Sequence, residues 1–204
     1  AALKALGYDE QKIKVLIHQF VTIMQGDEVV KMSTRKANFI TLDELIAEVG
    51  ADVVRYFFLM RSMTSHLNFD LSLAKKQSDE NPVYYLQYAH ARICSIMRKA
   101  NEEVKKAEGN PNLELLTDAH ELDLIKMLLQ FPEMIEYCAG TFEIHRLAEY
   151  LQDVATAFHK FYHSCRVVSD DETLTHARLS LCRATKAVLR NGASVIGIAA
   201  PETM

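Results

Sequence analysis

The chain has 204 residues, enough to bury about 70% of the surface its unfolded form exposes, and its 49% hydrophobic and 25% charged content is that of a folded globular protein. Lys and Arg number 23 against 27 Asp and Glu, a net charge of −4 that excludes a uniformly basic nucleic-acid coat and leaves room for a local basic face. Cys94, Cys138, Cys165 and Cys182 contain no C-x-x-C pair, and no uninterrupted apolar run reaches about 18 residues. A structural zinc site, a disulfide framework and a membrane span are therefore not expected, and the thiols read as reduced and cytoplasmic. The first residues, with Lys4, Asp9, Glu10 and Lys12, lack the layout of a signal peptide, and the opening Ala1 suggests a fragment or a processed product.

Residues 14 to 24 alternate loosely between apolar and polar, and Gly26-Asp27 supplies a turn before Val29 and Val30, which predicts a short β-hairpin. That hairpin delivers the loop Lys31-Met32-Ser33-Thr34-Arg35-Lys36 to a defined place. Thr41 and Glu44 form a T-x-x-E capping box, Leu42, Leu45, Ile46 and Val49 make a helical stripe, and Gly50 is a stop, so a helix is predicted over 42 to 49. A second helix begins near Asp52. It is apolar all round through Val54, Tyr56, Phe57, Phe58 and Met60, which places it between layers rather than on the surface. Residues 66 to 71 read as a brief extended segment.

Beyond Asp70 the strand signals cease and long amphipathic segments follow, which predicts an all-α bundle. Asn81-Pro82 opens a helix carried by Val83, Leu86, Tyr88, Ile93, Ile96 and Met97 to about 108, where Gly109-Asn110-Pro111 ends it. Further helices are predicted over 118 to 131, 132 to 139, 142 to 167 and 172 to 191, the last capped by Asp171 and stopped by Asn191-Gly192. The acidic run Asp170-Asp171-Glu172 is read as that cap rather than a metal site.

Three groups of residues carry candidate chemistry. The loop over 31 to 36 gathers Lys31, Arg35 and Lys36 around Ser33 and Thr34. Such a loop either wraps a polyphosphate, where cations stabilise a leaving pyrophosphate, or is a solvated connection. Tyr85, Tyr88 and Arg92, spaced i, i+3, i+7, share one helical face. Two rings beside a guanidinium suit an unpaired base, and the alternative is half-buried packing. His159 and His163 stand four apart, but Lys160 occupies the place where a helical zinc-protease motif needs Glu, so no metal is expected there. His90 and His66 read as hydrogen-bonding core histidines, and Arg183 and Arg190, seven apart on the last helix, either as phosphate-binding charge or as a solvated basic face.

The segment KMSTRKANFITLDELIAEVGADVVRYFFLM resembles the signature loop and following helices of class I aminoacyl-tRNA synthetases, in which a Lys-Met-Ser-Lys-Ser type motif closes over ATP. SHLNFDLSLAKKQSDENPVYYLQYAHARICSI and the ending ARLSLCRATKAVLRNGASVIGIAAPETM resemble arginyl-tRNA synthetases in particular, and the similarity extends from about Lys12 to Met204. The resemblance implies a mainly α fold: residues 1–70 as a small α+β end of the catalytic domain with stem-contact helices, and 71–204 as an all-α anticodon-binding domain. It implies Lys31 and Ser33 as catalytic loop residues, and Lys31, Met32, Ser33, Arg35 and Lys36 as the set around the ATP phosphates, with Mg2+ in the intact enzyme. Thr34 stands where the motif usually has its second lysine, which leaves Arg35 or Lys36 as the available cation. Tyr85, Tyr88, Arg92, Tyr162 and Met204 are implied as tRNA contacts.

The partners so implied are arginine tRNA, L-arginine and ATP, with no membrane. The His-Ile-Gly-His type signature and the arginine pocket cannot fit upstream of Lys31, so arginine activation by this chain alone is not expected. A monomer is implied, with concentration-dependent self-association through surface uncovered by truncation. The competing readings are a cysteinyl-type synthetase and a helical protein-interaction module, the latter predicting a large exposed apolar patch in place of a joined Tyr and Arg surface.

Overall fold

The computed structural model describes residues 2–26, 28–30, 40–103 and 111–204. The 31–36 loop and the predicted helix end at 104–110 lie outside the described residues. After a short helix α1 (Ala2–Ala5), residues 13–20 form neither helix nor strand. The predicted hairpin is therefore shorter than its alternation suggests. Strand β1 begins at Val21 and runs Val21–Gln25, Gly26 turns with φ 62°, and β2 (Glu28–Val29) returns antiparallel with Met24 opposite Val29. Within residues 14–20, Gln19 N–H donates to Met63 O at 2.8 Å and Phe20 O accepts from Leu67 N–H at 3.4 Å, while Val15, Ile17 and Phe20 remain about 80% exposed (80%, 82% and 81%).

The capping box of α2 (Leu42–Val49) is made as predicted: Thr41 Oγ1 accepts from Glu44 N–H at 3.1 Å, and Glu44 accepts from Thr41 N–H at 2.7 Å. Gly50, at φ 88°, ends α2 and starts α3 (Ala51–Leu59) within one residue, a backbone conformation that a Cβ would penalise. Helix α3 sits between layers. Phe57 meets Phe69 with ring centroids 5.2 Å apart, while the buried Tyr56 hydroxyl donates to Ala148 O at 3.1 Å and accepts from Gln152 Nε2 at 2.9 Å. Burial drives the Tyr56 phenol above its ordinary pKa, so it remains a neutral donor.

The extended segment appears as β3 (Leu67–Asp70), and it pairs in parallel with β1, Val21 opposite Leu67 and Ile23 opposite Phe69, giving the order β2-β1-β3. A parallel pair needs a crossover, and α2 with α3 lie within it. His66, expected in the core, is exposed instead: it falls in phase with the exposed Asn68, opposite the buried Leu67 and Phe69. Asp70 then caps α4 (Leu71–Ala74), accepting from Ser72 N–H at 2.8 Å and Leu73 N–H at 3.1 Å.

The bundle consists of α5 (Pro82–Glu103), α6 (Ala119–Leu129), α7 (Phe131–Thr141), α8 (Ile144–Ser164) and α9 (Glu172–Ile196). Asn81 begins α5 as read: its Oδ1 accepts from Val83 N–H at 3.0 Å, and its Nδ2 donates to Ala74 O and Lys76 O at 3.1 and 2.9 Å. Helix α8 is the central rod. Leu147, Leu151, Val154, Phe158 and Phe161 follow the three-and-four spacing, all fully buried, and the helix packs against α3, α5, α6, α7 and α9. Predicted boundaries move: α6 ends at Leu129 against a predicted 131 and α8 at Ser164 against 167, and two further shifts have a visible cause. Helix α7 runs on to Thr141 and closes on Phe142 at φ 66°, whose ring lies 4.3 Å from Lys14 Nζ, so α8 starts two residues later than predicted.

The second correction concerns Asn191-Gly192, which does not stop the last helix: α9 continues to Ile196 and ends at Gly197, φ 73°. Gly192 has a packing role, since a Cβ there would lie 2.4 Å from Leu151 Cδ2. Asp171 caps α9 as predicted, accepting from Leu174 N–H at 3.1 Å. Helices α6 and α9 are joined by Arg178 Nε and Glu121 Oε1 at 2.6 Å, with the Glu121 side chain only 1% exposed. One apolar core, from Ile23 through Leu147 to Ile198, links the strand layer with the bundle.

Candidate nucleic-acid interface

The face of α5 that carries Tyr85, Tyr88 and Arg92 lies beside the C-terminal half of α8. Arg92 joins the cluster: its guanidinium carbon stands 5.0 Å from the Tyr88 ring centroid and 5.5 Å from that of Tyr162, and its Nη2 donates to the Tyr88 hydroxyl. Those contacts, the Tyr88 hydrogen bond first, raise the Arg92 pKa further and keep it a cation. Tyr162 is 37% exposed at the end of α8 and stacks on Phe158 with centroids 6.0 Å apart. A hydrophobic floor thus supports a ring whose edge is open.

Tyr85 is turned inward more than its spacing implies. Its ring lies 4.8 Å from the His159 ring and its hydroxyl is 3.5 Å from Thr156 Oγ1, so it is half-buried packing as well as part of the face. His159, weighed in the sequence only as half of a metal pair, is the platform beneath both tyrosines, with Tyr88 stacked on it at 5.9 Å and 20°. Burial, with Arg92 nearby, lowers the His159 pKa, which keeps the imidazole neutral and suited to stacking. Tyr84 extends the row, stacked on Tyr88 at 6.3 Å and 7°. Among the described residues no three His, Cys, Asp or Glu side chains gather as a metal set.

An open groove of about 620 Å³ runs along Tyr85, Tyr88, Arg92, His159, Lys160 and Tyr162. A second, of about 340 Å³, shares Tyr88 and Arg92 and is walled by Arg98 and Met204. Met204 is 55% exposed and stands at the edge of the cluster, although it is more than 100 positions from Tyr88 in the chain. The structure therefore brings Tyr85, Tyr88, Arg92, Tyr162 and Met204 into one region. Lys31, Met32, Ser33, Arg35 and Lys36 lie outside the described residues; their flanks are held by Val30 N–H donating to Ile23 O at 2.9 Å and by Ile40 packed on the core. Arg183 and Arg190 are exposed on α9 and line neither groove. Stacked rings, a guanidinium and flanking cations around open grooves can hold an unstacked base and its phosphate.

Comparison with known proteins gives a consistent result. Residues 86–204 match the family model described as DALR anticodon binding domain. The arginine–tRNA ligase of Salinibacter ruber is 52% identical over all of this chain, which spans 36% of that relative's length. Among solved structures, a Campylobacter jejuni protein described provisionally as an arginyl-tRNA synthetase superposes over the whole chain with a TM-score of 0.81 at 30% identity, the match covering 44% of that protein. The arginyl-tRNA synthetase of Thermus thermophilus matches 84% of this chain and 29% of its own, with a TM-score of 0.67 at 29% identity. The chain thus spans little more than a third of the length of the curated relatives it matches.

Proposed function

The chain belongs to the DALR anticodon binding domain family, and from that premise we propose that it is a section of an arginine–tRNA ligase in which residues 71–204 hold the anticodon arm of arginine tRNA. Residues 1–70 then carry the end of the catalytic domain, with Lys31, Met32, Ser33, Arg35 and Lys36 closing over ATP and Mg2+ while the remainder of the enzyme supplies the arginine pocket. On this reading the 204 residues alone bind RNA without activating L-arginine, and the enzyme works in the cytoplasm.

The observation that carries this reading is the joined Tyr88–Arg92–Tyr162 cluster. An anticodon loop presents splayed bases and closely spaced phosphates. Aromatic faces take the bases at about 1–3 kcal/mol each, and Arg92 serves phosphate or stacks in turn. The neutral His159 holds the rings from below without adding a second charge beside Arg92. Against the interaction-module reading, the large apolar side chains with the greatest exposure, Val15, Ile17 and Phe20, lie ahead of β1 and line neither groove.

The test is equilibrium binding of the chain to arginine tRNA, to the same tRNA with a changed anticodon and to an unrelated tRNA, at two salt concentrations. Anticodon-dependent binding that weakens with salt and with Tyr88→Ala or Tyr162→Ala is expected, because phosphate contacts release counterions. Equal weak binding to all three, indifferent to both tyrosines, would leave discrimination to the rest of the enzyme and remove the proposed role.

A further inference from the structure

Past Gly197 the chain has no helix or strand to hold it, and segments of that kind are disordered unless tied down. Here they are tied down residue by residue from three helices. Asp52 on α3 accepts from Ala199 N–H at 3.1 Å, and Gln87 on α5 donates one N–H to that Asp52 carboxylate at 2.9 Å and the other to Ala199 O at 3.0 Å. His90 Nδ1 lies 2.8 Å from Pro201 O; a carbonyl can only accept, so Nδ1 carries the proton. Arg98 Nη1 donates to Glu202 O at 3.2 Å, and Lys186 Nζ on α9 reaches Glu202 Oε1 at 2.9 Å.

His90 is buried, and neither it nor Lys186 lines the grooves beside Tyr88. Their contacts end two and three residues before Met204, the residue that walls the groove shared by Tyr88, Arg92 and Arg98. We propose that His90 and Lys186 are positioning residues for RNA binding: by holding Pro201 and Glu202 they fix Met204 as one wall of the Tyr88–Arg92 groove. This role rests on the function proposed above. A wall supplied by an unanchored segment would have to be ordered at each binding event, whereas a docked one is already in place.

The experiment compares Lys186→Met, His90→Phe and Met204→Ala, singly and combined, in the 204-residue chain. Two readouts are used: release of Met204 by a carboxypeptidase without RNA, and the dissociation constant for an arginine tRNA transcript. Lys186→Met and His90→Phe should each speed release of Met204 and weaken binding several-fold, up to about tenfold. Combining either with Met204→Ala should add nothing to the loss from Met204→Ala alone, a non-additivity that general destabilisation does not produce. Lys186→Arg should restore wild-type behaviour. Should the buried His90→Phe change fail to fold, Lys186→Met and Glu202→Gln test the same contact from the more exposed side. Unchanged release of Met204, or losses that multiply with Met204→Ala, overturns the role. Absence of binding by the unsubstituted chain overturns the function proposed above and this role with it, whereas binding indifferent to Lys186→Met overturns this role alone.

Discussion

Arg92 and Tyr88 form the contact on which the RNA reading depends, and the two halves of Tyr88 can be separated. Tyr88→Ala removes both ring and hydroxyl and should weaken tRNA binding by about 1–3 kcal/mol, whereas Tyr88→Phe keeps the stacking face and should lose clearly less, as filter or fluorescence titration will show. A different pair governs stability. Glu121 is almost fully buried and gives one oxygen to Arg178 and the other to Asp118 N–H at 2.9 Å. Arg178→Met would leave a buried carboxylate without its cation, and a loss of about 3–5 kcal/mol in urea unfolding is expected, with Arg178→Met/Glu121→Leu recovering only part of it because Asp118 N–H then loses its acceptor. The sequence alone showed that Tyr85, Tyr88 and Arg92 share a face, because helical spacing is local information. Tyr162 and Met204 came only through the family resemblance. His159 as the platform escaped both routes, since its role exists only once α8 lies against α5, a long-range pairing that no spacing within α8 encodes.

At the scale of elements, the start signals were more legible than the stops. Thr41, Asn81 and Asp171, read from the sequence as helix starts, each accept a backbone hydrogen bond there, a short-range event that a side chain settles within three residues, and Asp70 and Asp118, which the sequence reading did not single out, do the same. Gly192 misled because its small size answers to Leu151 across the α8–α9 contact and not to a turn. Gly192→Ala should therefore destabilise by about 1 kcal/mol: crowding against Leu151 costs about 1–3 kcal/mol and helix propensity returns up to about 1. The urea midpoint should fall with the slope unchanged. The parallel pairing of β1 with β3 was equally hidden, because residues 66–71 look the same whether their neighbour is near or distant in sequence.

For the whole molecule, pH provides a further prediction. Burial depresses the pKa of both His90 and His159, so the unfolded chain takes up protons first as the pH falls below about 6.5. Their stabilising contribution is full above that value and is lost as the pH drops through their lower folded values. Glu44, Asp118, Asp171 and Glu202, held below the ordinary carboxylate range chiefly by hydrogen bonds, lose theirs only in more acidic solution. Urea unfolding between pH 7 and 5 should show falling stability, and His159→Phe should flatten that slope. The exposed Val15, Ile17 and Phe20 lead to one more expectation: light scattering should find concentration-dependent self-association, reduced by Ile17→Lys with Phe20→Lys.

The three-way contact of Tyr56 with Ala148 and Gln152 has a metrical consequence. Gln152 also donates to Pro82 O at 2.6 Å, so one polar knot binds α3 to the first turn of α5 and to α8. Any swing of one part against the other would break these bonds, of which that from Tyr56 to Ala148 is buried. The span from Val30 and Ile40, where the 31–36 loop is rooted, to the Tyr88 groove is then a fixed gauge. On the function proposed above, a folded RNA reaching from one to the other is measured by its length as well as read by its bases.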